Sequence, residues 1–347
     1  MPALPTLEHL AVLSDDAGII QHATENVPNR KTGYCTDDVA RAFIVALQAL
    51  QLAPKDDAAD RLASTYLAFL EDAQLEDGRF HNFMSYERSW LDDVGTQDSI
   101  GRAIWALGYG IRYAPREPWR RVCRMLFDRA LNAIETLEFS RSRAYAMLGL
   151  AHAYPALHEV SYAAAFRRLA DTLVAGYRTE HDADWPWFEP EMTYDNARLC
   201  EALIRAGQAL GEPRYADLGL VTLAFYERTT TIDRIFVPIG NHGWYPRGGP
   251  RAIYDQQPLE ACATIDAQLA AYDATSDPAR TAAAETALAW YYGKNSRGIV
   301  MAHGGGCYDG LAEDAVNRNM GAESTLALLA GSYTMALRRP RTLRAVR

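Results

Sequence analysis

The sequence predicts an all-α chain of about twelve helices, paired as six hairpins within one domain spanning residues 1–347. Three observations predict it. Apolar residues recur at spacings of three and four, as in Val39, Ala42, Phe43, Ala46, Leu47 and Leu50, which together form one face of a helix. No stretch alternates apolar and polar residues for long enough to make a useful strand. A degenerate signal repeats: TDDVAR at Thr36–Arg41, TQDSIGR at Thr96–Arg102 and TYDNAR at Thr193–Arg198. Thr is a good N-cap, and an Asp two places later meets free backbone N–H groups and the positive end of the helix dipole, so each string should open a helix.

Taken in order, a short helix from Pro5 to Leu13 comes first. The helix opened by Thr36 follows, then a helical stretch near 57–74. Ile100, Ala103, Ile104 and Leu107 continue the helix opened at Thr96, and 117–138 returns. An opening without an acid lies at Ser140 to Arg143, with its return at 161–178. Leu199, Ala202, Leu203, Ala206 and Leu210 belong to the helix opened at Thr193, and 212–229 comes back. Two last openings follow Tyr254-Asp255 and Gly321-Ala322-Glu323, separated by a return at 278–292. The openers thus start near 36, 96, 141, 193, 255 and 320, far enough apart for one helix out, one back and a loop. Such a chain can close into a double ring with six parallel inner helices whose N-termini share one rim.

Composition narrows the function classes. With 49% hydrophobic and 23% charged residues the chain is an ordinary globular protein with material for a large core. A net charge of -9 disfavours nucleic acid and anionic membranes as partners. There is no run of 18 apolar residues and no basic-then-apolar start, which reads as a cytoplasmic protein without a membrane span. The cysteines Cys35, Cys123, Cys200, Cys262 and Cys307 are odd in number and widely spread, so neither a disulfide framework nor a structural zinc site is expected. His303 and Cys307 lack two further placed ligands, and the Gly304–Gly306 run lacks phosphate-loop spacing; no metal and no cofactor is expected.

Acidic starts on alternate helices, joined by long aromatic loops at that same end, resemble the six-hairpin (α/α)6-barrel glycosidase superfamily. The resemblance runs from Pro5 to about Leu337 and rests on pattern, without a match to one family. It implies an (α/α)6 barrel, a six-hairpin toroid, that hydrolyses glycosidic bonds, usually with inversion. Related barrels carry out phosphorolysis, polysaccharide lysis or sugar epimerisation.

Inverting hydrolysis needs one carboxylic acid to protonate the leaving oxygen and one carboxylate to activate water. Asp38, Asp98, Asp195 and Asp255 stand at predicted helix starts, where the anion is favoured; Asp38 or Asp98 is the expected base. In the loop Trp185–Met192, Glu189 and Glu191 lie among three aromatics, and apolar surroundings favour the protonated form, so either is the expected acid. Asp195, Asp255, Asn241, His242, His303, Tyr194 and Tyr254 would read hydroxyls, while Trp187 and Trp244 would stack against a sugar. The long loops 75–95, 233–254 and 293–319 complete this rim. The expected activity is hydrolysis of a short oligosaccharide. An epimerase or isomerase would instead use His81, His242 or His303 as proton shuttles, and a phosphorylase would bind phosphate through Lys294, Arg297, Arg318 or His303. A non-catalytic glycan-binding module is the remaining alternative.

Overall fold

The computed structural model describes residues 2–338. Twelve helices form among them: α1 (Glu8–Leu13), α2 (Thr36–Leu52), α3 (Asp57–Ala73), α4 (Gln97–Tyr113), α5 (Glu117–Ile134), α6 (Ser140–Leu157), α7 (Val160–Glu180), α8 (Ala197–Leu210), α9 (Pro213–Thr230), α10 (Pro258–Thr275), α11 (Pro278–Trp290) and α12 (Ala322–Leu337). The even-numbered helices pack in sequence, α2 on α4, α6, α8, α10 and α12 in turn, and α12 returns to α2. This closes an inner ring. Each odd-numbered helix packs outside its hairpin partner, with α1 against α12. The chain is therefore an (α/α)6 barrel.

Burial follows from this arrangement. Outer helices bury one stripe, as α3 does with Ala59, Leu62, Tyr66, Phe69 and Leu70. Inner helices are covered by two neighbours and an outer partner, so α2 buries Phe43, Ile44, Val45, Ala46 and Leu47 consecutively. Between α4 and α6 the approach is backbone to backbone. A Cβ added at Gly108 would lie 2.2 Å from the Gly149 carbonyl oxygen and 2.7 Å from its Cα, so no side chain fits there.

The helix openings differ from the expected caps in an informative way. Thr96 does cap α4, accepting from the Ser99 N–H at 3.3 Å. Thr36 is already inside α2, and its hydroxyl donates to the His81 carbonyl at 2.6 Å, fixing a rim loop. Thr193 does not open α8, because Asp195 takes φ +49° and the helix begins only at Ala197. Likewise α10 starts at Pro258, three residues past Asp255, since proline at the first helical positions has no N–H to leave unpaired.

The connections sort by end. At the C-terminal ends of the inner helices the turns are short: 53–56, 114–116, 158–159, 211–212 and 276–277. At their N-terminal ends long loops are stapled by two-residue antiparallel pairs, Tyr34–Cys35 with Phe83–Met84, Glu191–Met192 with Tyr245–Pro246, and Gly310–Leu311 with Val316–Asn317. All elaboration thus sits on one rim. The ring is sealed by His9, whose Nε2 lies 2.7 Å from the Met320 carbonyl, and by Tyr333, whose hydroxyl donates to the Pro5 carbonyl at 2.9 Å. All five cysteines are buried and free. No helix among the described residues is long and apolar enough to cross a membrane.

Candidate active site

At the N-terminal rim a cavity of about 550 Å³ opens into the barrel axis. Asp37 and Asp38 of α2, Asp98 at the start of α4 and Glu323 at the start of α12 contribute carboxyls. Gln21, His22, Asn82 and Asp309 come from the rim loops, and Tyr194, Asn241 and Trp244 from the loops before α8 and α10.

The two sequence-nominated aspartates have opposite surroundings. Asp38 is only 7% exposed, and burial raises its pKa to about 7, with Asp37 and Glu323 pushing the same way and Arg41 opposing. Arg41 Nη2 still reaches one oxygen of each of Asp37 and Asp38 at 2.7 Å, while its Nη1 meets Glu323 Oε2 at 3.1 Å. Asp98 instead accepts a hydrogen bond on each oxygen, from Ser142 Oγ and from the Tyr194 hydroxyl, both at 2.5 Å. Beside it Trp244 tilts against Tyr194 with ring centroids 6.4 Å apart, forming an aromatic corner. Asp309 also has a pKa raised to about 6, through burial and the Glu323 charge.

Beneath these groups lies a buried layer of ions. Arg41, Arg102 and Arg198, the arginines that end the three repeated strings, converge on the axis from α2, α4 and α8. Arg102 binds Asp37 through Nε at 3.0 Å and, through Nη2, Asp195 at 3.0 Å and the Tyr145 hydroxyl at 2.8 Å. Arg198 bridges Glu201 and Asp266, both at 2.7 Å. Glu260 of α10 accepts the Asp195 backbone N–H, and burial together with the Asp195 charge lifts its pKa to about 8. Arg41 and Arg102 face both this rim cavity and a second cavity below.

The remaining nominated residues are distributed as follows. Glu189 is outside the cavity wall, paired at 2.7 Å with Arg141 of α6, because that buried guanidinium needs a carboxylate. Glu191 pairs through its backbone with Pro246 in a short strand and does not line the cavity. Trp187 is fully buried, edge-on to Phe188 and stacked near Tyr226, where a sugar has no access. Asp195 lies one layer deeper, on the wall of the second cavity. Asp255, Tyr254 and His242 hold the 240–255 loop together through backbone hydrogen bonds and do not line the cavity. His303 is exposed, its Nε2 against the Val300 carbonyl, and His81 is stacked on Trp90; neither is on the wall. Asp38, Asp98, Tyr194, Asn241 and Trp244 are brought together. Asp37, Glu323, Asp309 and His22 were not nominated, although Asp37 adjoins Asp38 and Glu323 stands at a recognised opening. Among the described residues no cluster of His, Cys, Asp and Glu is set to hold a metal.

No family model matches the chain, and no curated protein matches it either. Solved structures do. A cellobiose 2-epimerase from Bacillus thermoamylovorans superposes with a TM-score of 0.75 at 13% identity, covering 97% of this chain and 96% of that one. A sugar epimerase from a ruminal bacterium gives 0.74 at 12% identity over 96% of each chain. An α-mannanase of glycoside hydrolase family 76 from Bacteroides thetaiotaomicron gives 0.68 at 13% identity, over 97% and 95%. Identities this low establish the six-hairpin barrel fold and leave the chemistry to be argued from the site.

Proposed function

We propose that this protein is a carbohydrate-active enzyme that hydrolyses a glycosidic bond in a short oligosaccharide. Asp38 is the general acid and Asp98 the general base. The observation that carries the reading is the contrast between these two carboxyls on one cavity wall, at the starts of neighbouring inner helices. A carboxyl buried beside two other acids holds its proton near neutrality, as an acid that protonates a leaving oxygen must. A carboxylate that accepts two hydroxyl donors is oriented and ready to take a proton from water. This reverses the role expected of Asp38 and takes the acid role from Glu189 and Glu191.

Trp244 and Tyr194 offer flat faces for a pyranose, and Asn241, Gln21 and Asp309 offer donors and acceptors for its hydroxyls. The similarity in fold to an α-mannanase and to sugar epimerases supports a sugar substrate. The test is a release assay over α- and β-linked gluco-, manno- and galacto-disaccharides, with and without phosphate. Asp38→Asn and Asp98→Asn should each lower cleavage by about 10²- to 10⁴-fold. An inverted product anomer, read by proton NMR, is the expected stereochemistry.

Epimerisation is the second reading, favoured by His22 on the cavity wall and by the two similar epimerase structures. Conversion of a free monosaccharide without cleavage, abolished by His22→Asn, would select it over hydrolysis.

A further inference from the structure

The barrel contains a second cavity of about 900 Å³ that opens at the opposite mouth, among the C-terminal halves of the inner helices. It is separated from the rim cavity by the Arg41 and Arg102 guanidiniums, which touch both. Nothing in the proposed hydrolysis uses it. We propose that this cavity binds an anionic sugar, a pyranose-sized polyol bearing a phosphate or a carboxylate.

Its wall has the two ingredients such a ligand requires. The first is an amphipathic surface. Trp105 lies on it, and Tyr109 is held there by Gln51 Nε2, which donates to its hydroxyl at 2.8 Å. The volume lies within the range of ordinary small-molecule sites. The second is uncompensated positive charge. Arg205 and Arg198 already share Glu201, and Arg338 at the mouth is paired with Asp273. Arg112 has no ion pair among the described residues; its only charge contact is the face of Tyr113, 5.2 Å from the ring centre. Arg112 and Arg205 both bear on His152, whose pKa is driven well below the ordinary value by burial and then by these two charges.

Two residues of this wall also carry unpaired polar atoms. Gln48 is 5% exposed and lines the cavity; its Nε2 donates to Thr334 at 3.0 Å, but its Oε1 has no hydrogen-bond partner among the described residues. His152 Nδ1 is likewise buried and unpartnered, its ring held edge-on by Tyr109 at 4.9 Å. Buried polar atoms are ordinarily satisfied, and turning either side chain toward the cavity would bring its free atom to a polyol hydroxyl. Arg112 would take the anionic group, as guanidinium favours phosphate and carboxylate.

Isothermal titration of the full chain with glucose 6-phosphate, glucuronate, glucose and inorganic phosphate tests this without reference to any catalytic activity. At least one of the two anionic sugars should bind on the order of tenfold or more tightly than glucose and than phosphate, the better one naming the anionic group. Arg112→Gln, an exposed position whose change leaves the core intact, should erase that preference, and Trp244→Ala in the rim cavity should leave it unchanged. Equal binding of glucose and both anionic sugars would overturn the proposal. So would phosphate binding as tightly as glucose 6-phosphate, a preference that survives Arg112→Gln, or one lost only in Trp244→Ala.

Discussion

In the proposed hydrolysis, two carboxyls one helix apart on the ring take opposite roles because of what surrounds each. Asp38 has a pKa near 7 chiefly through burial, so the acid form required for protonating a leaving group disappears as pH rises through that value. The pH profile of kcat/KM on a cleaved disaccharide should therefore fall above about pH 7, and a high-pH limb unchanged in the residual activity of Asp38→Asn would remove Asp38 from the acid role. Glu260 tests the same physics through stability. Its folded pKa of about 8 lies above the unfolded value, so its contribution is complete below the unfolded pKa and is lost as pH rises through the folded one. Glu260→Gln keeps the acceptor for the Asp195 N–H and removes the titration. Relative to wild type, the variant should gain up to about 1.4 kcal/mol per pH unit between pH 5 and 8 and then level off, as urea unfolding at several pH values would read. A constant difference across that range would mean that Glu260 titrates alike in both states. The aspartates were visible in sequence because they stand at helix starts; their contrasting surroundings were not, because burial and the neighbouring Asp37 and Glu323 belong to the folded ring.

At the scale of elements, periodicity located the helices and even their pairing, since apolar spacing is local. The caps were less legible. Thr36, Thr96 and Thr193 look alike in sequence, yet only Thr96 caps, because His81 captures the Thr36 hydroxyl and the left-handed Asp195 delays α8 to Ala197. The 185–192 loop misled for a related reason. Its aromatic surroundings are core, and Arg141, at the acid-free opening of α6, claims Glu189 from across the chain. Backbone contact between α4 and α6 was invisible as well, although Gly101, Gly108 and Gly149 are its trace. Gly108→Val would drive two methyl groups and a Cβ into the Gly149 carbonyl, so the helices must separate. A loss of at least 3 kcal/mol, or failure to accumulate folded protein, is expected, at the upper end of overpacking costs. The exposed-turn variant Gly211→Ala, with nothing near its Cβ, provides the contrast: its cost should be confined to the strain of φ +68°.

For the molecule as a whole, the buried ions tie inner helices to their ring neighbours and, at Asp195, reach one helix further. Arg102 of α4 binds Asp37 of α2, Tyr145 of α6 and Asp195 in the lead-in to α8, all within 3.0 Å. That makes one guanidinium the meeting point of four hairpins, and it also forms part of the partition between the two cavities. The repeated strings contained these arginines, but a sequence repeat alone cannot show that three of them meet. Burying such charges is costly, so their value lies in mutual compensation, and removing one partner is far worse than removing a pair. Arg102→Met should destabilise the fold by about 3–5 kcal/mol, because Asp195 then keeps a buried charge with only Arg198, at 3.6 Å, opposite it, while Asp37 keeps Arg41. Adding Asp195→Asn neutralises the stranded carboxylate and leaves an amide that can still accept from the Tyr145 hydroxyl. The double variant should then be more stable than Arg102→Met alone, with a coupling energy of about 1–3 kcal/mol in a denaturant-unfolding cycle. Strict additivity would show the two ions acting independently and would leave apolar packing as what holds the ring closed.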